Sequence, residues 1–231
     1  MSRRAYDQAC SLATALDHVG ERWTLLIVRE LSLGPLRFSE LARSVGGAPT
    51  DVLTKRLRDL EADGVVSKRR LEAPVAATVY ELTELGRGLE RPMFELARWG
   101  MNLQRAEAVV DLAPSSLPNA MRVLLQPPAE ASFVVGLRTG SHEFTLRARD
   151  GWIEASRGGA DDAGLVLAGS PVAVLAFVVV GEEAADRVEI EGDRALLEEV
   201  RAMVVLPERL REESRELVEA GVLDRAATAA A

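Results

Sequence analysis

Two short stretches of the sequence hold side chains whose types and spacing suit contact with a polyanion. Between 50 and 63, Leu53, Leu57 and Leu60 recur at helical spacing. That turns Thr50, Asp51, Thr54, Lys55 and Arg58 to the opposite face, where hydroxyls and cations can donate to phosphates or base edges. Arg56 lies nearer the buried side, placed to reach a phosphate sideways or to pair with Glu40. Lys68, Arg69 and Arg70 stand in a row, a run suited to backbone or minor-groove contact. Arg37 completes the set of basic candidates. A third candidate is Cys10, the single thiol, with Arg3 and Arg4 close in sequence. A sensor thiol needs exposure and a lowered pKa, whereas a free cysteine usually packs as a small hydrophobe.

Other chemistry is scarce. One cysteine excludes an internal disulfide, and two histidines leave too little for a metal site or a His-based triad. His18 follows Asp17 and reads as a satisfied helix-end histidine. His142 beside Glu143 is the one acid–base pair, in a predicted strand where surface pairing is the expected role. No Gly-rich phosphate loop, nucleophile elbow or metal-ligand spacing occurs. The expectation is a protein that is not an enzyme and takes no cofactor or metal.

The elements that position the cations follow from pattern. Helices are expected over 10–19, 22–33, 38–45 and 50–63, with Gly46-Gly47 as the turn between the last two and Pro49 opening the second. Strands over 65–71 and 78–82 flank a tip containing Pro74, and a helix over 84–103 follows. Two helices about a glycine turn and then a basic hairpin is the order of a winged helix-turn-helix, whose second helix enters the major groove. The helix over 84–103 carries Leu85, Leu89, Pro92, Met93, Leu96 and Trp99, more apolar surface than a small core needs. A dimer seam shared with the N-terminal helix is expected there, and packing within the domain is the alternative.

Net charge separates two halves. The chain is −8 overall, wrong in sign for a nucleic-acid binder. Residues 1–105 carry 16 basic and 14 acidic side chains, so the acidity belongs to the remainder. The expected organisation is a DNA-binding and dimerisation domain over 1–105, a linker over 106–118 and a second domain over 119–231. The longest apolar run, 171–181, is too short for a membrane helix, and the N-terminus lacks the apolar stretch of a signal peptide. A cytoplasmic location, associated with the nucleoid, is expected.

The first half resembles HxlR-type (MarR-like) winged-helix regulators. The residues that carry the resemblance are Gly20-Glu21-Arg22-Trp23-Thr24, Leu26 to Leu31, Arg37-Phe38-Ser39-Glu40-Leu41, Leu53 to Glu61, Val79-Tyr80-Glu81-Leu82-Thr83, Gly86, Pro92 and Trp99-Gly100. It implies a dimeric bacterial transcription factor on a palindromic operator in double-stranded DNA, with Cys10 at a place where such regulators often sense electrophiles or oxidants. Gly47-Ala48-Pro49 stands where the family usually has Gly-Ile/Leu-Ser, and the aromatic residue after the basic part of the first wing strand is absent.

The second half mixes strands over 132–138, 142–149, 151–157, 165–168 and 188–191 with helices over 171–180, 194–203 and 207–221. Phe133 to Leu137, Asp150-Gly151, Leu165-Val166-Leu167 and Ile190-Glu191-Gly192-Asp193 resemble a sterol-carrier-type lipid-binding domain. That resemblance implies a five-stranded sheet with helices on one face and an apolar tunnel for a lipid-like molecule. Strand alternation then puts Leu137, Phe144, Leu146 and Ile153 on its wall, with Leu175 and Phe177 from a helix that is apolar nearly all round. Such a helix is buried by a ligand, or between the sheet and another domain or subunit. The expected fold class is α+β, a winged helix followed by this five-stranded domain. The expected function is operator binding modulated by a hydrophobic effector. The alternative makes the second domain only a dimerisation module and the signal a modification of Cys10.

Overall fold

The computed structural model describes residues 5–72, 76–105 and 112–221. The wing tip around Pro74, the first part of the expected linker, and Arg3 and Arg4 lie outside the described residues. The chain forms two compact units, Met1–Met93 and Phe94–Ala231.

The first unit runs α1 (Ser11–Val19), α2 (Thr24–Leu31), β1 (Leu36–Arg37), α3 (Phe38–Val45), α4 (Thr50–Ala62), β2 (Val66–Arg70), β3 (Thr78–Leu82) and α5 (Glu84–Arg87). Ile27, Val28, Leu41, Leu53, Leu57 and Leu60 form its core, which fixes the face that α4 leaves outside. Gly46 and Gly47 both take positive φ, +60° and +69°, so the turn between α3 and α4 uses a backbone region that side chains disfavour. The first helical amide bond of α4 runs from Leu53 to the Pro49 carbonyl at 2.9 Å, so Pro49 is the capping residue and the helix begins at Thr50. The wing is a three-stranded antiparallel sheet in the order β1-β3-β2. Its two-residue third strand has no periodicity of its own for the sequence to show.

The helix expected over 84–103 is broken. The Thr83 hydroxyl accepts from the Gly86 amide at 3.1 Å and caps α5, and α6 (Glu90–Met101) starts after Gly88 and Leu89. Pro92 has no amide hydrogen and is tolerated only in a first turn, where that donor has no partner anyway. Pro92 therefore sets where the new helix begins. The last two turns of α6 belong to the second unit.

The second unit continues with α7 (Ser116–Leu124), β4 (Phe133–Thr139), β5 (His142–Arg149), β6 (Trp152–Arg157), β7 (Leu165–Ala168), α8 (Pro171–Val180), a 3-10 turn (Glu182–Arg187), β8 (Glu189–Gly192), α9 (Arg194–Ala202) and α10 (Glu208–Glu219). The five strands lie in the order β6-β5-β4-β7-β8, antiparallel except for the parallel β4–β7 pair. Pairing Leu137 with Phe144 and Leu167, and Val135 with Leu146 and Leu165, puts all six on one face, and all are buried. The other face is polar, with Arg138 bonded to Glu191 at 2.9 Å and Arg147 to Asp162 at 2.7 Å. α7 starts inside the stretch read as linker, and Leu117 and Met121 are fully buried. No helix among the described residues is long and apolar enough to cross a membrane.

Candidate nucleic-acid interface

With Leu53, Leu57 and Leu60 packed inward, α4 exposes Thr50, Asp51, Thr54, Lys55 and Arg58, as the spacing predicts. The Thr54 hydroxyl donates to the Thr50 carbonyl at 2.7 Å and keeps an acceptor outward. Among the described residues, Lys55 and Arg58 make no ion pair. Arg37 precedes α3, exposed, and its amide donates to the Glu40 carboxylate at 2.7 Å. Glu40 is thereby committed to its own helix start, so the Arg56–Glu40 pairing weighed from sequence does not form. Arg56 instead bonds Glu21 at 3.0 Å and Asp59 at 3.1 Å, and its side chain is only 11% exposed. It braces the N-terminal segment against α4.

The three wing cations are not equivalent. Register puts Lys68 opposite Tyr80, with the ammonium 5.4 Å from the ring centroid and 2.8 Å from Glu61. The hydrogen bond to Glu61 raises the Lys68 pKa, while burial and Arg58 oppose the rise. Arg69 lies diagonally across the hairpin from Glu81 and grips both carboxylate oxygens, at 2.9 and 3.1 Å. That hydrogen bond raises its pKa as well. Arg70 is exposed and has no ion pair among the described residues. Of the candidate cations, those available without breaking an existing pair are thus Arg37, Lys55, Arg58 and Arg70. Glu61 and Glu81 decide this, and sequence reasoning missed both. The signal was present for Glu81, since pairing Arg70 with Thr78 brings Glu81 within one diagonal of Arg69.

Cys10 is exposed and lies at the start of α1. His18 meets Asp63 at 3.1 Å, in keeping with a satisfied helix-end histidine. His142 stacks on Phe144, and Glu143 faces Arg138 at 3.7 Å. Among the described residues, no group of three or more His, Cys, Asp or Glu side chains is placed to hold a metal ion.

The second unit contains a separate feature, a cavity of about 220 Å³. Its wall comes from α6 (Ala97, Met101), α7 (Ala120, Val123, Leu124), α8 (Val172, Leu175, Ala176, Val179) and α10 (Leu210, Ser214, Leu217), with Gln104, Leu112 and Leu206. Of the six residues expected to line a pocket, only Leu175 does so here. Leu137, Phe144, Leu146 and Ile153 are buried on the inner face of the sheet, and Phe177 is buried on another side of α8 with Arg201 over its ring. The reason is that α7 covers the inner face of β5 and β6 and fills the space the sequence left for a tunnel. Arg122 of α7 reaches into that packing, donating to the Ile153 carbonyl at 3.1 Å and lying 4.1 Å from the Phe94 ring centroid. Arg98 bonds the carbonyls of Val123 and Arg122, tying the end of α7 to α6.

Comparison with known proteins points in one direction. The model of the HxlR-like helix-turn-helix family matches residues 18–108. The uncharacterized HTH-type transcriptional regulator Mb3122 of Mycobacterium bovis is 42% identical over 90 residues, which is 39% of this chain and 56% of that protein. YtcD of Bacillus subtilis, also an uncharacterized HTH-type transcriptional regulator, is 35% identical over 102 residues, 44% of this chain and 79% of its own. YtfH of Escherichia coli, described in the same words, is 34% identical over 107 residues, 46% of this chain and 85% of its own. The chain thus spans about half the length of the mycobacterial relative and most of the other two. Among solved structures, the reduced form of the transcriptional regulator YodB from B. subtilis aligns with 40% of this chain and 91% of its own, at 29% identity and a TM-score of 0.38.

Proposed function

This chain belongs to the HxlR-like helix-turn-helix family of transcriptional regulators, which are not enzymes, and from that membership we propose that it binds a palindromic operator as a dimer and that its second unit takes a hydrophobic effector. The observation that carries the DNA reading is the exposed face of α4, where Lys55 and Arg58 stand clear of any ion pair among the described residues. In this reading Thr50, Asp51 and Thr54 approach base edges, Lys55 and Arg58 meet bases or phosphates, and Arg37 and Arg70 meet flanking phosphates. Lys68 and Arg69 join only by exchanging a carboxylate for a phosphate, and Arg56 acts as a brace. One recognition helix covers a few base pairs. Two, about 34–36 Å apart on a two-fold axis, give a usable site.

Exposed Leu12 and Leu16 on α1 in the first unit, and separately Leu96, Trp99 and Leu103 on and after α6 in the second, support a dimer, because exposed apolar groups of this kind mark partner sites. The five-stranded sheet with one buried face supports a sterol-carrier-like second domain, and the apolar cavity supports an effector. The regulator acts in the cytoplasm on the nucleoid. A tenfold change in operator affinity requires about 1.4 kcal/mol of difference in effector binding between two arrangements of the recognition helices. The test selects operator duplexes from a random pool with the wild-type dimer, then measures Lys55→Ala and Arg58→Ala on them by fluorescence anisotropy. Each variant is expected to bind more weakly with unchanged circular dichroism. Undiminished binding by both would remove α4 from the interface.

A second reading has its own observation, the exposed Cys10 thiol at the start of α1. Here thiol modification is the signal and the second unit only assists dimerisation. Diamide is expected to release operator from the wild type and not from Cys10→Ser. Equal release from both rejects this reading.

A further inference from the structure

We infer that the cavity in the second unit is a site for a small, uncharged, apolar molecule of about nine non-hydrogen atoms, and that α6 senses its occupancy. The inference rests on the effector reading above and sharpens it. Size comes from volume. A dry engineered cavity of about 150 Å³ holds benzene, with its six carbons. In proportion, the cavity of about 220 Å³ found here encloses about nine heavy atoms. An eight- to ten-carbon chain or a substituted single ring fits. A sterol or a long acyl chain is two to three times too large to lie wholly inside and would project past the exposed Ala97 rim.

Charge comes from the wall. Among the described residues, Gln104 and Ser214 are the polar residues that line the cavity, and no ionisable side chain does. The Ser214 hydroxyl already donates to the Leu210 carbonyl at 2.7 Å, and the Gln104 carbonyl accepts from Arg209. Of the cations beside the α10 wall, Arg211 is bonded to the Val179 carbonyl at 3.0 Å and Arg209 to Glu213 and the main-chain carbonyl of Gln104, and neither they nor Arg215 lines the cavity. A carboxylate inside would meet no cation among the described lining residues, and burying one is costly without a partner. An alcohol, ketone or ester loses far less.

The link to α6 comes from its two faces. Ala97 and Met101, four residues apart, line the cavity. At about 3.6 residues per turn, Leu96, Trp99 and Leu103 fall away from them and are exposed. One helix thus has a ligand wall on one side and bare apolar surface on the other, and its first residues lie within the DNA-binding unit. A ligand that packs on Ala97 and Met101 bears on a helix that the dimer uses.

The experiment titrates the full chain, carrying ¹³C-methyl methionine, with decan-1-ol, decanoate, hexadecan-1-ol and cholesterol, and follows the Met101 methyl by NMR. Decan-1-ol is expected to shift Met101 in a saturable way and to bind at least tenfold more tightly than decanoate. Hexadecan-1-ol and cholesterol are expected to bind at least tenfold more weakly than decan-1-ol at Met101. Ala97→Trp at the rim, where the native residue is exposed, is expected to abolish the decan-1-ol shift without unfolding the chain. Should Ala97→Trp unfold, Ala120→Phe on the opposite wall serves the same purpose. If the larger or charged probes bind equally well at Met101, the size and charge assignment falls while the effector reading stands. If decan-1-ol binds and neither variant weakens it, the location falls. If calorimetry detects no binding of any of the four probes, the effector reading falls with the inference.

Discussion

Salt dependence gives the sharpest handle on the DNA interface, because the structure divides the cations into available and committed. Arg37, Lys55, Arg58 and Arg70 are exposed and carry no ion pair among the described residues, whereas Arg56, Lys68 and Arg69 are paired. A dimer presents each available cation twice. At about 0.9 counterions released per phosphate neutralised, eight contacts give a slope of log affinity against log salt of about −7. If the paired cations engaged phosphates as well, fourteen contacts would give about −13. Lys55→Ala removes two contacts and is expected to flatten the slope by about 1.8, so that between 50 and 200 mM salt the variant loses roughly twelvefold less affinity than the wild type. Lys68→Ala and Arg69→Ala are expected to leave the slope within about 0.5 of the wild type, since neither adds a free cation. Glu81→Gln releases Arg69 and is expected to steepen the slope by up to about 1.8, an effect that Arg69→Ala cancels. The assay is fluorescence anisotropy on one operator duplex at five potassium chloride concentrations. A wild-type slope near −13, or equal flattening by Lys55→Ala and Arg69→Ala, would refute the division into available and committed cations.

The second unit offers two further tests. Arg122→Ala removes a buried charged donor and the body that packs on Phe94 and Trp152, and is expected to destabilise this unit by about 3 kcal/mol or more in urea unfolding read by tryptophan fluorescence. Arg122→Met keeps most of the volume and is expected to lose about half as much, and a loss below about 1 kcal/mol for Arg122→Ala would contradict the role assigned to it. The hydrogen bond from Arg147 holds the Asp162 carboxyl below the usual carboxylate range. A lowered folded pKa means the pair's contribution is present above the unfolded value and is lost as pH falls through the folded one. Carboxyl ¹³C titration is expected to show Asp162 protonating late and returning to the ordinary range in Arg147→Ala, with little change in Tm because both side chains are exposed. An unaltered Asp162 midpoint in the variant counts against the bond.

Local signals were legible and packing choices were not. Thr50, Gly46-Gly47 and the leucines of α4 state that helix and the turn before it outright, because a 3.6-residue period and a two-glycine turn are written in the local chain. α3, β3, β5, β7 and α8 also fall at the residues their patterns predict, and Ser170 caps α8 by accepting from the Ala173 amide at 3.2 Å. α7 was hidden because its first turn holds Ser116 and Pro118 and follows Pro114 and Ser115, which read as a loop. Only its packing on β5 and β6 makes it a core helix. The break before α6 was hidden because Leu85, Leu89 and Leu96 keep helical spacing across it. The site residues divide in the same way. Exposure of Lys55 and Arg58 follows from one helix alone. The committed state of Lys68 and Arg69 needs partners on α4 and β3, and the cavity needs four helices at once.

The sequence of α8, PVAVLAFVVV, has a consequence beyond the folded state. Val172 through Val179 are all buried, and the stretch contains no charge. Its five valines favour an extended strand over a helix when taken alone. The segment is helical because its neighbours α7, α9 and α10 hold it so. A chain in which the second unit has opened therefore releases an uncharged, β-prone stretch of the kind that pairs with its own copies. Competition between refolding and self-association then governs how long the protein survives, so its durability is set by how rarely this unit opens, and a mutation in α7 or α10 can deplete the protein without touching the first unit.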